Sequence, residues 1–500
     1  MLRLSSVSCV LGSSILLASA CADDGGGSGD EVGSTSTSDS STTLGESGTL
    51  GESSEGPTTL DGGSTDDASD MSTSSDDQAD GQDNGQDNGV KFDLSEWNDE
   101  PPFDTDGNFG PGSCRSSEIY GAAGGFPAFE DPNYADFLDR SVAIVTHSNY
   151  DPAPNNFSLT VVDISGPPPP PNLNYLAPLY HHPSWTITNL GRHFGITLDS
   201  AGNIYLAATT VWGARPNPGE IKRIDGVTGE ISVLVTLPNN GPALGNLNYD
   251  CVSETIYVAN HEDGRIYQVN LDGEIESTYQ HSTGDITLGP PADPGEPNGQ
   301  FWPLGQRPWA IQSHAGRLYY SIWGSSGANS VWSVAYVDED GVPDPMTAKK
   351  EFDTPGSMPV SDLGFAHDGW MLISQRTMLG DMQTSAHQSK TYDYQYQNGQ
   401  WVLQGTNYLL GEIASGNNAT GGVDHDFVEN GYVWMTGDAL DFYTPDCVYG
   451  LQGTPYGGGS IENSTLIDLD HEVSGQDKTV YGDVELPIPG DVTPVPPPAG

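Results

Sequence analysis

Five segments of this 500-residue chain repeat one plan: an apolar strand, a tight polar turn near a Gly, then a second apolar strand. They occupy residues 194–208, 244–260, 309–322, 361–374 and 421–437, and a degenerate earlier copy begins at Ser141. The second large residue after each turn is Tyr205, Tyr257, Tyr319, Leu372 and Trp434, at spacings of 52, 62, 53 and 62 residues. Regular recurrence at that length marks a unit that cannot bury its apolar face alone and must stack on neighbours. The units continue into hairpins: Asp225-Gly226, Asp272-Gly273, Asp340-Gly341 and Asn398-Gly399 each separate short alternating strands, as tight β-turns require. Four short strands per roughly 55–60 residues reads as a propeller blade with lengthened loops. The expectation is an all-β fold, a six-bladed β-propeller over residues 140–490. Because the first and last copies are degenerate, seven blades stay open as the alternative. The strands beginning at Ser464 and Thr479 are expected to close the ring by completing the first blade, which lacks its own opening strand. A parallel α/β fold would need amphipathic stretches of about ten residues or more between strands, and none is present.

The chain before the repeats is built differently. Residues 22–90 carry 17 Asp or Glu and no Lys or Arg, in a Ser/Thr/Gly background with almost no large apolar side chain. Such a segment cannot bury enough surface to offset its ordering entropy and is read as a disordered tether over 21–90. Ahead of it, a basic start at Arg3 leads into a short apolar stretch ending Leu17-Ala-Ser-Ala-Cys21. That arrangement reads as a signal peptide over 1–20, too short to span a bilayer permanently. It resembles a bacterial lipobox, which makes Cys21 the lipidated residue, with free secretion as the alternative. By the sorting rule this resemblance implies, Ala22, where an Asp would retain the protein at the inner membrane, favours the outer membrane or cell surface. Residues 91–139 are read as an extension packing on the propeller, and 491–500 as a Pro-rich tail. Outside the leader stand Cys114, Cys251 and Cys447, an odd number that permits one intrachain disulfide at most and fits an exported chain.

The formal net charge of −53, from 16 Lys+Arg against 69 Asp+Glu, argues against a phosphate-binding surface and hence against a nucleic-acid partner. No Gly-rich phosphate loop, G-x-S-x-G elbow or HExxH motif occurs. Asp104-Thr-Asp-Gly-Asn108 begins like a calcium loop, but Phe109 stands where Gly belongs, so it reads as an acidic turn. Pro167–Pro171 reads as a stiff connector. The His residues, including His181-His182, His261 and His367, lack metal-ligand spacing.

The patterns Gly202-Asn-Ile-Tyr-Leu206 and Arg265-Ile-Tyr-Gln-Val-Asn-Leu-Asp-Gly-Glu274 resemble the NHL-type and gluconolactonase (senescence-marker) six-bladed propellers. The blocks at 421–427, 437–442, 449–455 and 476–487 look like a family of exported bacterial propellers without an assigned activity. The first resemblance implies an axial carboxylate/amide cluster that binds a divalent cation and polarises a lactone or phosphoester. Asp362 aligns with the family's strand-entry Asp and Asn246 with an amide position; Asp424 is added from the internal repeat. Two carboxylates with amide oxygens would suit Ca²⁺. The family's N-terminal Glu ligand has no counterpart here. His193, Arg307 and Arg376 fall at strand entries, where they would line a ligand funnel; the arginines would clamp an anion there or cap neighbouring carbonyls. The leading expectation is a surface-displayed lipoprotein whose propeller is a ligand- or protein-binding module, monomeric and touching the membrane only through its lipid. The alternative is a calcium-dependent hydrolase of lactones or esters.

Overall fold

The computed structural model describes residues 125–488, apart from 150–155, 166–173, 292–297, 367–369, 406–407, 427–430, 442–447 and 472–478. The leader, Cys21, the acidic tether, the turn at Asp104, Cys114, the polyproline run, His367, Cys447 and the C-terminal tail lie outside the described residues.

Six antiparallel sheets follow one another along the chain, each starting from an inner strand. The inner strands of blades two to six are His193–Leu198, Leu244–Asp250, Arg307–His314, Val360–Phe365 and Ala419–His425. Blade one takes its inner strand from the far end of the chain: Thr479–Glu485 pairs with Val142–Asn149, which continues to Leu159–Asp163 and Leu179–Tyr180. The fold is therefore a six-bladed β-propeller closed by its C-terminal strand. The strand Thr465–Asp468 departs from expectation. It is the fourth strand of blade six, and Asn174–Tyr175 of the first blade's excursion pairs with it in parallel. The ring is thus fastened in both directions, with the late strand completing blade one and an early strand extending blade six.

Each seam between blades holds its own apolar core. Ile144 and Val161 meet Ile196 and Leu206 between blades one and two. Tyr205 and Ile221 meet Leu247 and Val258 at the next seam. Val145 and Val484 meet Trp434 and Leu451 where blade six returns to blade one. Each fully buried aliphatic side chain contributes roughly 1.5–3 kcal/mol, so closure stabilises every blade through two neighbours. Residues 125–137 extend the first seam. Gly125 and Ala128 donate backbone bonds to Asp199 and Gly226, and Phe129, Tyr134 and Phe137 join the core there. Cys251 is disulfide-bonded, and every other Cys lies outside the described residues.

Candidate functional site: the two ends of the axial channel

The repeat markers turn out to be a structural register. Tyr205, Tyr257, Tyr319, Leu372 and Trp434 pair across their blades with Thr197, Asn248, Gln312, Gly364 and Asp424 on the inner strands. In blade one the equivalent pair is Ile144 with Glu485. Just before these positions every inner strand carries at least one extra residue relative to its partner. A bulge of this kind bends the strand and re-aims a side chain. Here it recurs six times and turns a residue toward the axis.

Two axial layers result. The first contains Asp483, Gly195, Asn246, Ala310, Asp362 and Gly422, in blade order. Six full side chains cannot meet at one point, and the sequence alternates polar residues on the odd blades with Gly or Ala on the even ones. A Cβ on Gly195 would lie 2.3 Å from Asn246 Oδ1, and one on Gly422 would lie 2.7 Å from Asp483 Cα. In the space so left, Asn246 Nδ2 donates to Asp362 Oδ1 at 3.0 Å and to Asp483 Oδ2 at 2.9 Å, joining blades one, three and five. The Asp362 and Asp483 carboxyls thus sit side by side on one amide group. Burial, then the neighbouring Asp483 charge, raises the Asp362 carboxyl well above the usual carboxylate range. Asp483 is pushed up to about 6 by burial. Two adjacent buried carboxylates cannot both ionise cheaply, which is the physical cause of the upward shift.

The second layer contains Glu485, Thr197, Asn248, Gln312, Gly364 and Asp424. Gly364 leaves a gap, and a small pocket opens there, lined among others by Gln312, Asp362, Asp424 and Glu485 with Phe365 and Leu486. No lining residue is basic. Asp424 is pushed up to about 8 by burial, and Glu485 is raised by burial and by the Asp424 and Asp483 charges. The sequence nominated Asp424, whereas Asp483 and Glu485 were missed. The signal was present in Asp483-Val-Glu485, which repeats the polar–apolar–polar alternation of Asn246-Leu-Asn248. It becomes readable only once that strand is known to be innermost.

Most of these side chains hold the ring together. At five of the six seams an axial side chain accepts a backbone N–H from the inner strand of the following blade. Thr197 Oγ1 accepts from Tyr249 at 3.1 Å, Asn248 Oδ1 from Ser313 at 2.8 Å, and Asp362 Oδ2 from Val423 at 2.8 Å. Asp424 Oδ2 accepts from Leu486 at 2.7 Å and Asp483 Oδ2 from Ile196 at 3.3 Å. Asn246, Asp362, Asp424 and Asp483 each also accept the N–H of their own following residue.

A calcium shell from Asn246, Asp362 and Asp424 does not fit this arrangement. Asn246 turns its NH₂ group, not its oxygen, toward the carboxyls, and both oxygens of Asp362 and of Asp424 already accept backbone bonds. Asp424 also belongs to the second layer, apart from the other two. Among the described residues no group of three or more His, Cys, Asp or Glu is placed to hold a metal ion.

The other end of the channel, where the inner strands begin, is aromatic. Phe194, Trp212, Trp309, Trp323, Met378 and Val480 form one cluster. Phe194 and Trp309 rings lie 5.8 Å apart and Trp309 and Trp323 rings 5.1 Å apart. The sequence-predicted funnel residues divide here. Arg307 stands at the mouth, its guanidinium 4.8 Å from both the Phe301 and the Trp323 ring centroids. Arg376 is fully buried and caps the carbonyls of Thr420 and Tyr481. His193 is fully buried in the channel wall, where burial first and then Arg215 and Lys222 hold it neutral.

No family model matches the chain, and no curated protein does. Among solved structures it is similar to a periplasmic gluconolactonase of Pseudomonas aeruginosa, at 12% identity over 70% of this chain and 99% of that one, with a TM-score of 0.39. It is also similar to a gluconolactonase of Xanthomonas campestris, at 11% identity over 59% of this chain and 86% of that one, TM-score 0.34. A calcium-binding regucalcin of Agrobacterium tumefaciens aligns at 17% identity over 54% of this chain and 72% of that one, TM-score 0.31. Likeness at this level carries no argument about chemistry, and the fold assignment rests on the sheets themselves.

Proposed function

We propose that this chain is an exported, lipid-anchored protein whose propeller works as a rigid binding module. The observation that carries the reading is the use of the axial carboxyls. Asp362, Asp424 and Asp483 commit their oxygens to backbone N–H groups of adjoining blades, which suits a structural plug better than a nucleophile, a base or a cation shell. A ring built this way presents ligand-facing surface at its two ends and around its loops. The leader ending at Cys21 and the acidic segment behind it support anchoring with a spacer. The disulfide at Cys251 supports an oxidising compartment. Fatty-acid labelling in a bacterial host tests the anchor: label lost in Cys21→Ser supports it, and label unchanged refutes it.

A hydrolase is the second reading. It is favoured by Asp424 and Glu485, two carboxyls with raised pKa values facing one pocket, an arrangement that general acid–base chemistry uses. A screen of lactones and esters against the full chain, with and without calcium, separates the two. The binding reading expects no turnover above buffer. Turnover abolished in Asp424→Asn would establish the hydrolase instead.

A further inference from the structure

At the aromatic end, one element belongs to no blade. Met378–Gly380 and Gln383–Thr384 pair only with each other, as a two-stranded hairpin inserted between the second and third strands of blade five. We infer that this hairpin is a hinged cap that closes the aromatic mouth of the axial channel and is latched by Arg307–Asp381.

The hairpin is tied to the blade where it leaves and re-enters it, and its tip is exposed. Arg376 N–H donates to Pro359 O, the Arg376 guanidinium donates to Thr384 Oγ1 at 2.7 Å, and Thr377 bonds Ser389 at 2.6 Å. Beyond these anchors residues 379–383 are all exposed. Two contacts hold the hairpin over the mouth, one beside its base and one at its tip. Met378 inserts into the cluster with Trp309 and Trp323, and Asp381 Oδ1 accepts from Arg307 Nη1 of blade four at 2.7 Å. Swinging the tip away breaks no sheet ladder, since the hairpin's backbone bonds are internal.

The latch is asymmetric. The Arg307 side chain is 3% exposed and Asp381 is 47% exposed. Arg307 is also bonded to Trp302 O at 2.8 Å through Nε and lies against the two rings, so it keeps its place when Asp381 leaves. Opening therefore uncovers Trp323, Trp309 and a preoriented cation together, and salt or loss of the Asp381 charge loosens the tip's one ion pair among the described residues. Methionine suits the plug, being unbranched and able to leave and refill an irregular aromatic gap. The cap does not depend on what the mouth binds.

The test uses the full chain, wild type and Asp381→Asn, with hydrogen exchange and hydroxyl-radical footprinting read by mass spectrometry. Expected for the variant are about tenfold faster exchange confined to 376–385 and severalfold greater oxidation of Met378 and Trp323. The blade strand Met371–Gln375 and the buried Trp185 should be unchanged, which also reports that the variant is folded. High salt should move wild type toward the variant. Faster hairpin exchange without greater oxidation of Met378 and Trp323 would overturn the proposal, showing a loose hairpin that uncovers nothing. No change in either readout would overturn it as well.

Discussion

The two ends of the channel are built from the same six strands and follow opposite rules. At the end where the inner strands begin, the axis is filled by Phe194 and Trp309 packed edge to face, under a separate hairpin. One residue further along, the filling is Asn246, Asp362 and Asp483, and beyond that Asp424 and Glu485 around a pocket. Aromatic packing tolerates being covered and uncovered, because its ring faces need no hydrogen-bond partner and only the indole N–H of each Trp does. The polar plug does not tolerate it. Each of its groups is buried with its partner on another blade, and removing one leaves the rest desolvated and unsatisfied. The polar end is therefore fitted to hold the ring closed, and under the proposed cap the aromatic end is the one that opens.

Breaking the plug should have the largest effect. Asn246→Ala removes the donor shared by Asp362 and Asp483, and we expect a loss of about 3 kcal/mol, as for breaking a buried network by one partner. Urea unfolding checks it, and a change below about 1 kcal/mol would mean the three residues are not coupled. Gly422→Ala comes next. Its Cβ would press on the backbone of Asp483, Gly482 and Val484 at 2.7–2.8 Å. About 2 kcal/mol of overpacking is expected. Gly364→Ala, one layer on, is the control. Its Cβ would meet nothing closer than Val423 O at 3.3 Å, so stability should change by less than about 1 kcal/mol while the pocket narrows.

The pH dependence sharpens the same contrast. Asp362, Asp424, Asp483 and Glu485 all have folded pKa values above their unfolded ones, with Asp483 at about 6 and Asp424 at about 8. A raised carboxyl gives stability that is fully present below its unfolded pKa of about 4 and is lost as pH rises through the folded value. Buried His181, His193, His261, His281 and His314, all lowered by burial, add stability as pH rises toward their unfolded value of about 6.5 and offset the carboxyls there, so the melting temperature should fall from about pH 7 to 8. Asp424→Asn should flatten the upper part of that slope, and an unchanged slope would contradict the protonated plug. The smallest effect belongs to the aromatic end. Asp381→Asn should alter stability by less than about 1 kcal/mol, since its carboxylate is half in water.

Much of this is legible in the sequence. Strand–turn–strand units gave the blades because the second-strand residues Tyr205 to Trp434 sit opposite the axial positions, so one periodicity encodes both. The turn dipeptides fixed the hairpins by backbone preference alone. What remained hidden depended on contacts across the ring. Nothing local in Thr479–Glu485 says that it is innermost, so Asp483 and Glu485 went unnamed, while Thr465–Asp468 looked equally able to close blade one. The alternation of Gly195, Ala310 and Gly422 with Asn246, Asp362 and Asp483 is visible only when six strands are aligned through their bulges. Arg307 and Arg376 read alike in sequence, yet one faces a mouth and the other is walled in by carbonyls from blades six and one.

The central claim is that the axial carboxyls bind the blades to one another. Calcium titration calorimetry on the full chain, wild type against Asp362→Asn and Asp424→Asn, tests it most directly. The account predicts no tight single site, with any heat arising from weak binding to many surface carboxylates and unchanged by either substitution. Tight one-to-one binding abolished in both variants would contradict it and return these residues to a cation.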